Sequence, residues 1–484
     1  MNAIHHSISC KTCNGQGLKS QGISKRKMQR YEAALKKYHQ HKTAMDEPVK
    51  PKSTMQICTS CLGTGLELTS NRPIPNHTIY PHVAIVGAGI GGVALALACL
   101  HRQIPFTLFE RDRSFNDRSQ GYGLTLQQAS KEMKKLGISS LKEGIVSTLH
   151  LAHSSDGKVI GQWGLRKLEH KEAVEEKNKH KHTNIHIARQ ALRQALLNQL
   201  GGDQYVEWNH RLIDYKVTDK IELAFDVDGI TKQYHADLLV GADGIRSTVR
   251  QAIINEDKSP LRYLGCIVIL GICNLSEVKH LHSSLLDSAT VFQTSNGTER
   301  MYMMPYDKEA VMWQFSFPIS EEEAKTLSKK GPEALKIEVA KRTQWHTPIP
   351  QIITATDPQK ITGYPVYDRD LLSQDLLQNA GPVTLIGDAA HPMSPFKGQG
   401  ANQALLDALL LAQKITTAYN KANESINIRQ EILQPYEEEM IERSSVKVKK
   451  SAEAAKFLHS DVVLQEGNVT FGSKWSSSKP IEEI

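Results

Sequence analysis

The sequence predicts an α/β protein in which a parallel sheet flanked by helices is interleaved with a separate antiparallel sheet. C-terminal helices close the chain and a small cysteine-bearing module precedes it. Three observations carry this prediction. Residues 82–111 read HVAIVGAGIGGVALALACLHRQIPFTLFER: an apolar run, three spaced glycines, an apolar helical stretch and a second β-prone run ending in an acid. Val311 to Phe317 alternates strictly, with Val311, Trp313, Phe315 and Phe317 on one face, the period of a half-buried antiparallel strand. Near the N-terminus, Cys10-x-x-Cys13-x-Gly15-x-Gly17 recurs as Cys58-x-x-Cys61-x-Gly63-x-Gly65.

At 484 residues, 40% hydrophobic and 23% charged, the chain is an ordinary globular protein with room for two or three domains and a large core. No cationic-then-apolar leader opens it and no convincing membrane span follows, so a cytoplasmic location is expected. The net charge of +7 is unevenly placed: residues 1–78 hold 12 Lys and Arg against 4 Asp and Glu, leaving the remainder near neutral. Seven cysteines, four of them in the two paired motifs and three scattered (Cys99, Cys266, Cys273), fit one metal site plus buried thiols rather than a disulfide framework.

Residues 1–70 form the first unit. Two thiolates in one tight turn, followed by glycines whose N–H groups approach the sulfurs, make half of a tetrahedral zinc site, and Cys10, Cys13, Cys58 and Cys61 together complete it. A redox C-x-x-C is the rival reading, but neither pair opens a helix. Between the pairs, Met28, Tyr31, Leu35 and Tyr38 stand at helical spacing in a basic segment. That helix either packs a narrow apolar stripe on the cysteine turns or contacts nucleic acid, an acidic protein partner or a membrane surface. Proline-rich residues 71–81 read as a linker.

In the next stretch, Gly87, Gly89 and Gly92 have the G-x-G-x-x-G spacing of a Rossmann-like dinucleotide site. Gly87 allows the turn off the strand, Gly89 leaves room for a pyrophosphate, and Gly92 lets helix and sheet approach. The helix N-terminus points free N–H groups at that pyrophosphate, and Glu110 is placed to accept hydrogen bonds from a ribose. Val83 to Leu100 is apolar enough to imitate a membrane span, but its glycine pattern argues otherwise.

Further on, a helix is expected around Ser130 to Leu136, a charged surface excursion over Gly164 to Thr183, and a helix from Ile185 with Arg189 near its start. Asp237 to Arg250 reads DLLVGADGIRSTVR, a buried strand followed by an Asp243-Gly244 turn where ligands of open α/β sheets bind. Cys266 to Ile272, Val291 to Thr294, Arg300 to Met304 and Val311 to Phe317 build the antiparallel sheet. Finally VTLIGDAAHPMSPFKGQGANQALLDALLL (383–411) runs from a strand to Asp388, through a Pro/Gly loop, into an apolar helix near Ala401. His391 invites a general-base reading, but a turn residue held by its neighbours is the simpler one.

The ordered trio Gly87–Gly92 with Glu110, Asp237–Arg250 and Gly387–Asp407 resembles the class A FAD-dependent monooxygenases over residues 80–450. That superfamily includes salicylate hydroxylase, kynurenine monooxygenase, zeaxanthin epoxidase and tetracycline-inactivating enzymes. The resemblance implies that Gly87, Gly89, Gly92, Glu110 and Arg111 bind the ADP part of FAD, and that Arg189 sits near the phosphates. It implies that Asp243 and Gly244 serve FAD and a transient nicotinamide cofactor, and that Asp388 holds the ribityl chain. Pro395 to Asn402 would lie beside the isoalloxazine, with Pro395, Gly398 and Gly400 at the catalytic ring and Gly400, Ala401 and Asn402 binding the cofactor. The implied domains are 82–262 with 377–445 for FAD, 263–376 for substrate, and 446–484 as a C-terminal helix and polar tail.

The implied reaction uses NADPH or NADH, O2 and a flavin C4a-hydroperoxide to insert one oxygen into an apolar or aromatic small molecule. No second G-x-G-x-x-G is present for a separate nicotinamide domain. Pocket residues would come from Tyr263–Phe317 and Pro365–Asp370, with Met301, Met303, Met304, Trp313 and Phe315 serving either ligand or core. The paired cysteine motif resembles the zinc module of J-domain co-chaperones and departs from the monooxygenase pattern. It leaves an alternative in which this module docks a protein or nucleic-acid partner that the flavoprotein modifies or senses.

Overall fold

The computed structural model describes residues 6–40, 48–51, 53–117, 121–164, 166, 184–420 and 425–465. Most of the excursion expected over Gly164 to Thr183, and the tail beyond residue 465, lie outside the described residues.

Four parallel strands lie in the order Val383–Leu385, Leu238–Gly241, Val83–Val86, Phe106–Phe109. The first three are buried on both faces, as parallel strands covered by helices must be, and Phe106–Phe109 at the edge buries Leu108 and Phe109. The helix Ile90–His101 is buried along all but one of its residues, which its all-round apolar composition requires. It is enclosed by the helices Arg189–Leu200 and Gly400–Tyr419. A three-stranded antiparallel sheet, Arg211–Val217, Ile221–Val227 and Ile230–Ala236, leads back into the parallel sheet.

The second large sheet has seven strands, in the order Val159–Trp163, Leu149–Ser154, Thr290–Ser295, Arg300–Pro305, Ala310–Pro318, Leu261–Asn274, Ile361–Arg369. All neighbours are antiparallel except Leu149–Ser154 beside Thr290–Ser295. Two of these strands precede residue 263, so the sheet draws on chain outside the 263–376 segment expected to build it. The helix Gln434–Phe457 likewise runs unbroken through residues 445 and 446. One face of the sheet packs Trp313, Phe315, Met301 and Met303 against the helices between 321 and 355. There the indole Nε1 of Trp313 donates to Thr356 Oγ1 at 2.9 Å.

Two local expectations are corrected. Ile185–Ala188 is a strand paired with Gly123–Leu126, and the helix begins at Arg189. Isoleucines at alternate positions favour the strand, and the helical repeat starts only at Arg189. Ser130 to Leu136 forms two short 3₁₀ turns, Gln128–Ser130 and Glu132–Leu136, ended by left-handed Gly137.

In the N-terminal module, His6–Ser9 pairs with Leu66–Thr69 and Leu18–Ser20 with Met55–Ile57, so the two cysteine turns face one another. The basic helix Lys25–Gln40 extends from them with no fully buried residue. Arg102 joins module to body: only 5% exposed, it sits at the C-terminal end of Ile90–His101 and donates to Ala98 O and to Gly15 O, both at 3.3 Å. A cation there is favoured by the helix dipole.

Candidate functional site

The parallel strands deliver their loops to one edge, and the glycine turn opens it. Gly87 has φ +107°, and a Cβ on it would lie 2.5 Å from Ala242 O. A Cβ on Gly92 would lie 1.8 Å from Gly87 O. Both positions therefore exclude any side chain, and the helix N-terminus is held hard against the strand end. Glu110 clamps the same turn: its carboxylate accepts from Ala88 N at 2.8 Å and from Asp112 N at 3.1 Å. Arg193, which sequence reasoning missed, donates to Ala88 O at 2.7 Å and lies over the rings of Phe115 and Trp208. Its helical spacing from Arg189 was the available signal.

A cavity of about 880 Å³ begins at this turn. Gly89, Arg189, Gly244, Asp388, Gly400 and Ala401 line its first part, beside Pro395 and Gly398. Arg189 stands over the Tyr122 ring, 5.6 Å from its centroid. Asp243 lies just behind the wall, its Oδ2 accepting from Thr248 N at 2.7 Å while its buried Oδ1 has no partner among the described residues. Burial pushes its carboxyl upward, against hydrogen bonds from the Ser247 side chain and the Val249 and Thr248 N–H groups. Asp388 opens onto the cavity deep within the protein, and burial raises its carboxyl too, against the pull of His391 and Arg189. Pro395–Lys397 forms a 3₁₀ turn, Gly398 is left-handed at φ +59°, and the helix from Gly400 points its N-terminus into this space.

Six expected site residues, Gly87, Gly92, Glu110, Arg111, Asp243 and Asn402, do not reach the cavity wall. Gly87, Gly92 and Glu110 act through the shape of the turn. Asn402 is held by backbone: its Oδ1 accepts from Gln127 N and Ala129 N, and its Nδ2 donates to Thr125 O and Gly398 O. The amide is saturated by backbone, tying the 125–129 segment to the Gly398 loop. Arg111 is exposed and lines a separate shallow depression with Arg113 and Arg211.

Beyond Gly398 the cavity continues under the seven-stranded sheet. Its wall carries Arg300, Tyr302, Met304, Met312 and Gln314, roofed by Phe396, Phe457 and Leu458. Of the apolar residues weighed for either role, Met304 lines the cavity, whereas Met301, Met303, Trp313 and Phe315 belong to the core on the opposite face. The period-two alternation was correct, but the smaller, more polar set faces the cavity. On another wall, Thr125, His186, Ser147 and His150 are joined in series by contacts of 3.0, 2.8 and 3.0 Å. Burial lowers His186 to about 3 and His150 to about 4, so both rings are neutral.

His391 is held as a turn residue. Its Nε2 lies 2.7 Å from Asp407 Oδ2, and Asp407 also receives Gly387 N at 2.8 Å and Arg443 at 2.7 Å. In the N-terminal module the four cysteine sulfurs lie within 4.8 Å of one another. Cys10 and Cys58 are separated by 3.9 Å, Cys13 and Cys61 by 3.7 Å. Gly17 N and Gly65 N each donate to a sulfur at 3.2 Å.

Residues 80–449 match the FAD binding domain family. Aurachin C monooxygenase/isomerase of Stigmatella aurantiaca is 29% identical over 335 residues, covering 68% of this chain and 79% of that protein. FAD-dependent monooxygenase thnD of Trichoderma harzianum is 27% identical over 391 residues, 77% of this chain and 92% of its own. The fold is also similar to Klebsiella pneumoniae HpxO complexed with FAD and uric acid, at TM-score 0.65 and 20% identity over 80% of this chain and 92% of that one. With its glycine turn, its Asp243 and Asp388 loops and the cavity between them, the chain belongs to the FAD binding domain family and is an FAD-dependent oxidoreductase of the monooxygenase type.

Proposed function

We propose that the cavity holds FAD along its length and an apolar or aromatic substrate beneath the seven-stranded sheet, with NADPH or NADH as electron donor. The observation that carries this reading is the continuity of one cavity from Gly89 and Arg189, past Asp388 and Gly400, to Tyr302 and Met304. The donors fit the cofactor. Gly87, Gly89 and Gly92 leave backbone N–H groups and the helix N-terminus for a pyrophosphate, with Arg189 as a nearby cation. Glu110 shapes that turn. Gly244, Asp388, Gly400 and Ala401 would serve the remaining cofactor, Asp388 as acceptor for a polyol chain.

When bound, FAD supplies the activation of O2 and the transfer of one oxygen atom to the substrate, by hydroxylation or epoxidation. The chain's part is placement and field. Pro395, Gly398 and Gly400 present backbone rather than side chains at the reacting end, and the helix opening at Gly400 favours negative charge there. Phe396, Phe457 and Leu458 exclude water above it.

We also propose that Cys10, Cys13, Cys58 and Cys61 hold a structural zinc ion. A tetrahedron with bonds of about 2.3 Å has edges of about 3.8 Å, which the sulfur separations of 3.9 and 3.7 Å match. The site lies at the far end of Ile90–His101 from the glycine turn, about 18 Å along the helix, so its role is architectural.

The test is to purify the full chain, quantify flavin, and screen aromatic and polyene compounds for acceleration of NADPH or NADH oxidation with oxygenated product. A flavin-free protein would sink the cavity assignment. A flavin-loaded protein that no compound stimulates, and that returns all O2 as peroxide, would sink the monooxygenase substrate reading.

A further inference from the structure

Arg102 caps the C-terminal end of the helix Ile90–His101 as a buried cation, 5% exposed. Its Nη1 donates to Ala98 O and its Nη2 to Gly15 O, both at 3.3 Å, and Nε is buried without a hydrogen-bond partner among the described residues. Gly15 is left-handed at φ +72°, and a Cβ on it would lie 3.0 Å from Arg102 Nη2. The first cysteine turn therefore receives the guanidinium on a residue without a side chain. The same turn holds Cys13, whose sulfur accepts from Gly17 N at 3.2 Å.

What Arg102 lacks in the polypeptide is an anion. A guanidinium stays charged in any protein environment, and an ion taken out of water without a counter-charge is strongly unfavourable. The helix C-terminus offers only about half a charge. Among the described residues no carboxylate stands with it: its opposing electrostatic neighbours are Cys99, Cys13 and Tyr80. Burial pushes the Cys99 thiol up to about 12 and raises the Tyr80 phenol, so both are neutral at neutral pH. Burial lowers adjacent His101 to about 3, which makes it neutral as well, and the other charge acting on His101, Arg72, is positive. Elimination leaves the cysteine cluster, since four thiolates around one divalent ion carry a net charge of about −2.

We propose that Arg102 is the counter-cation of a metal–tetrathiolate centre at Cys10, Cys13, Cys58 and Cys61, so that bound zinc is what holds the N-terminal module against the helix Ile90–His101. The inference rests on the zinc assignment and deepens it. Arg102 is a positioning residue: it bonds the carbonyl of the turn rather than a sulfur, and acts on the centre through that turn and through charge. Without the metal the dianionic centre is not formed, and Arg102 is left buried among neutral groups. Metal binding and docking therefore stabilise one another, each by the same amount. The module is thus a conditional part of the body, tied to the helix whose other end forms the glycine turn.

The experiment uses the full, flavin-loaded chain. Zinc affinity is measured by competition with a chromophoric chelator, and docking by amide hydrogen exchange over residues 98–104, which hold none of the four ligands. Removing zinc from the native chain should speed that exchange at least about tenfold, as local opening does. Arg102→Met keeps the apolar stem without the charge; it should bind zinc about 10–100-fold more weakly, the usual cost of losing an outer-shell partner, and its exchange over 98–104 should no longer depend on zinc. Arg102→Lys should recover part of the affinity. An unchanged zinc affinity in Arg102→Met, or exchange in the native chain that ignores zinc removal, would overturn the proposal. A native chain that binds no zinc would overturn the zinc assignment itself, and the pairing with it. If Arg102→Met fails to fold, Cys61→His provides the second reading. Three thiolates and an imidazole still hold zinc, with about half the net charge, so exchange over 98–104 should rise with the metal in place. Native protection in zinc-loaded Cys61→His would overturn the pairing.

Discussion

The imidazole Nε2 of His391 lies 2.7 Å from the Oδ2 of Asp407, and both side chains are buried. Asp407 gathers three donors from three elements: the Gly387 turn after the last parallel strand, the His391 loop and Arg443 on the helix Gln434–Phe457. It therefore fixes the Asp388 loop from behind without touching the cavity.

Burial opposes ionisation of Asp407, yet His391, Arg443 and the Gly387 N–H outweigh it and hold the carboxyl below its usual range. A depressed folded-state value contributes stability that is present above the unfolded value near pH 3.9 and is lost as pH falls further. Asp407→Ala should destabilise the chain by about 3–5 kcal/mol, because it strands buried donors and a charge. Asp407→Asn should flatten the acid limb of denaturant melts. An unchanged melting curve for Asp407→Ala would contradict this role.

Gly92→Ala should abolish flavin retention. Its methyl would meet Gly87 O at 1.8 Å, and backbone cannot yield as a flexible side chain can. Flavin content of the purified variant, with circular dichroism as a control for folding, checks it. A yellow, stoichiometric Gly92→Ala protein would refute the close-approach argument.

His101 and His186 are buried at 1% and 0% exposure, and burial lowers each to about 3. The unfolded chain takes up these protons near pH 6.5 and the folded chain does not, so their stability is complete above pH 6.5 and is lost as pH falls toward 3. Each contributes a slope of up to about 1.4 kcal/mol per pH unit in that window. His186→Asn should remove about one histidine's share of the slope measured by urea melts between pH 6.5 and 4.5. An identical slope would show that His186 titrates normally.

Cys58→Ser, or treatment with a strong chelator, should release one zinc ion per chain and open Lys25–Gln40 to trypsin. Flavin should stay bound, since the two sites sit at opposite ends of Ile90–His101. Metal analysis with limited proteolysis reads both outcomes. A metal-free, protease-resistant native chain would rule out the zinc assignment.

Much of the fold was legible because it rests on local pattern. The glycines at 87, 89 and 92, the strand runs and the duplicated cysteine turns each declare their conformation within a dozen residues. Four strands of the antiparallel sheet, over Cys266–Ile272, Val291–Thr294, Arg300–Met304 and Val311–Phe317, were visible too, but its other strands were not. Leu149–Ser154 and Val159–Trp163 join the seven-stranded sheet through pairing with a strand more than a hundred residues away. Ile185–Ala188 is a strand for the same reason, since its partner Gly123–Leu126 lies about sixty residues earlier.

The sequence by itself determined the dinucleotide turn, the four-cysteine cluster and the order of the loops that meet at the cavity, because spacing and residue type are sufficient for those. Only the tertiary structure decided which face of each strand meets the cavity. It placed Trp313 and Phe315 in the core, tied the Asn402 and His391 side chains to the scaffold, and brought forward Arg193 and Arg300. The physical reason is that a period of two divides residues into two faces without saying which face is covered by helices, and hydrogen-bond saturation depends on partners far along the chain.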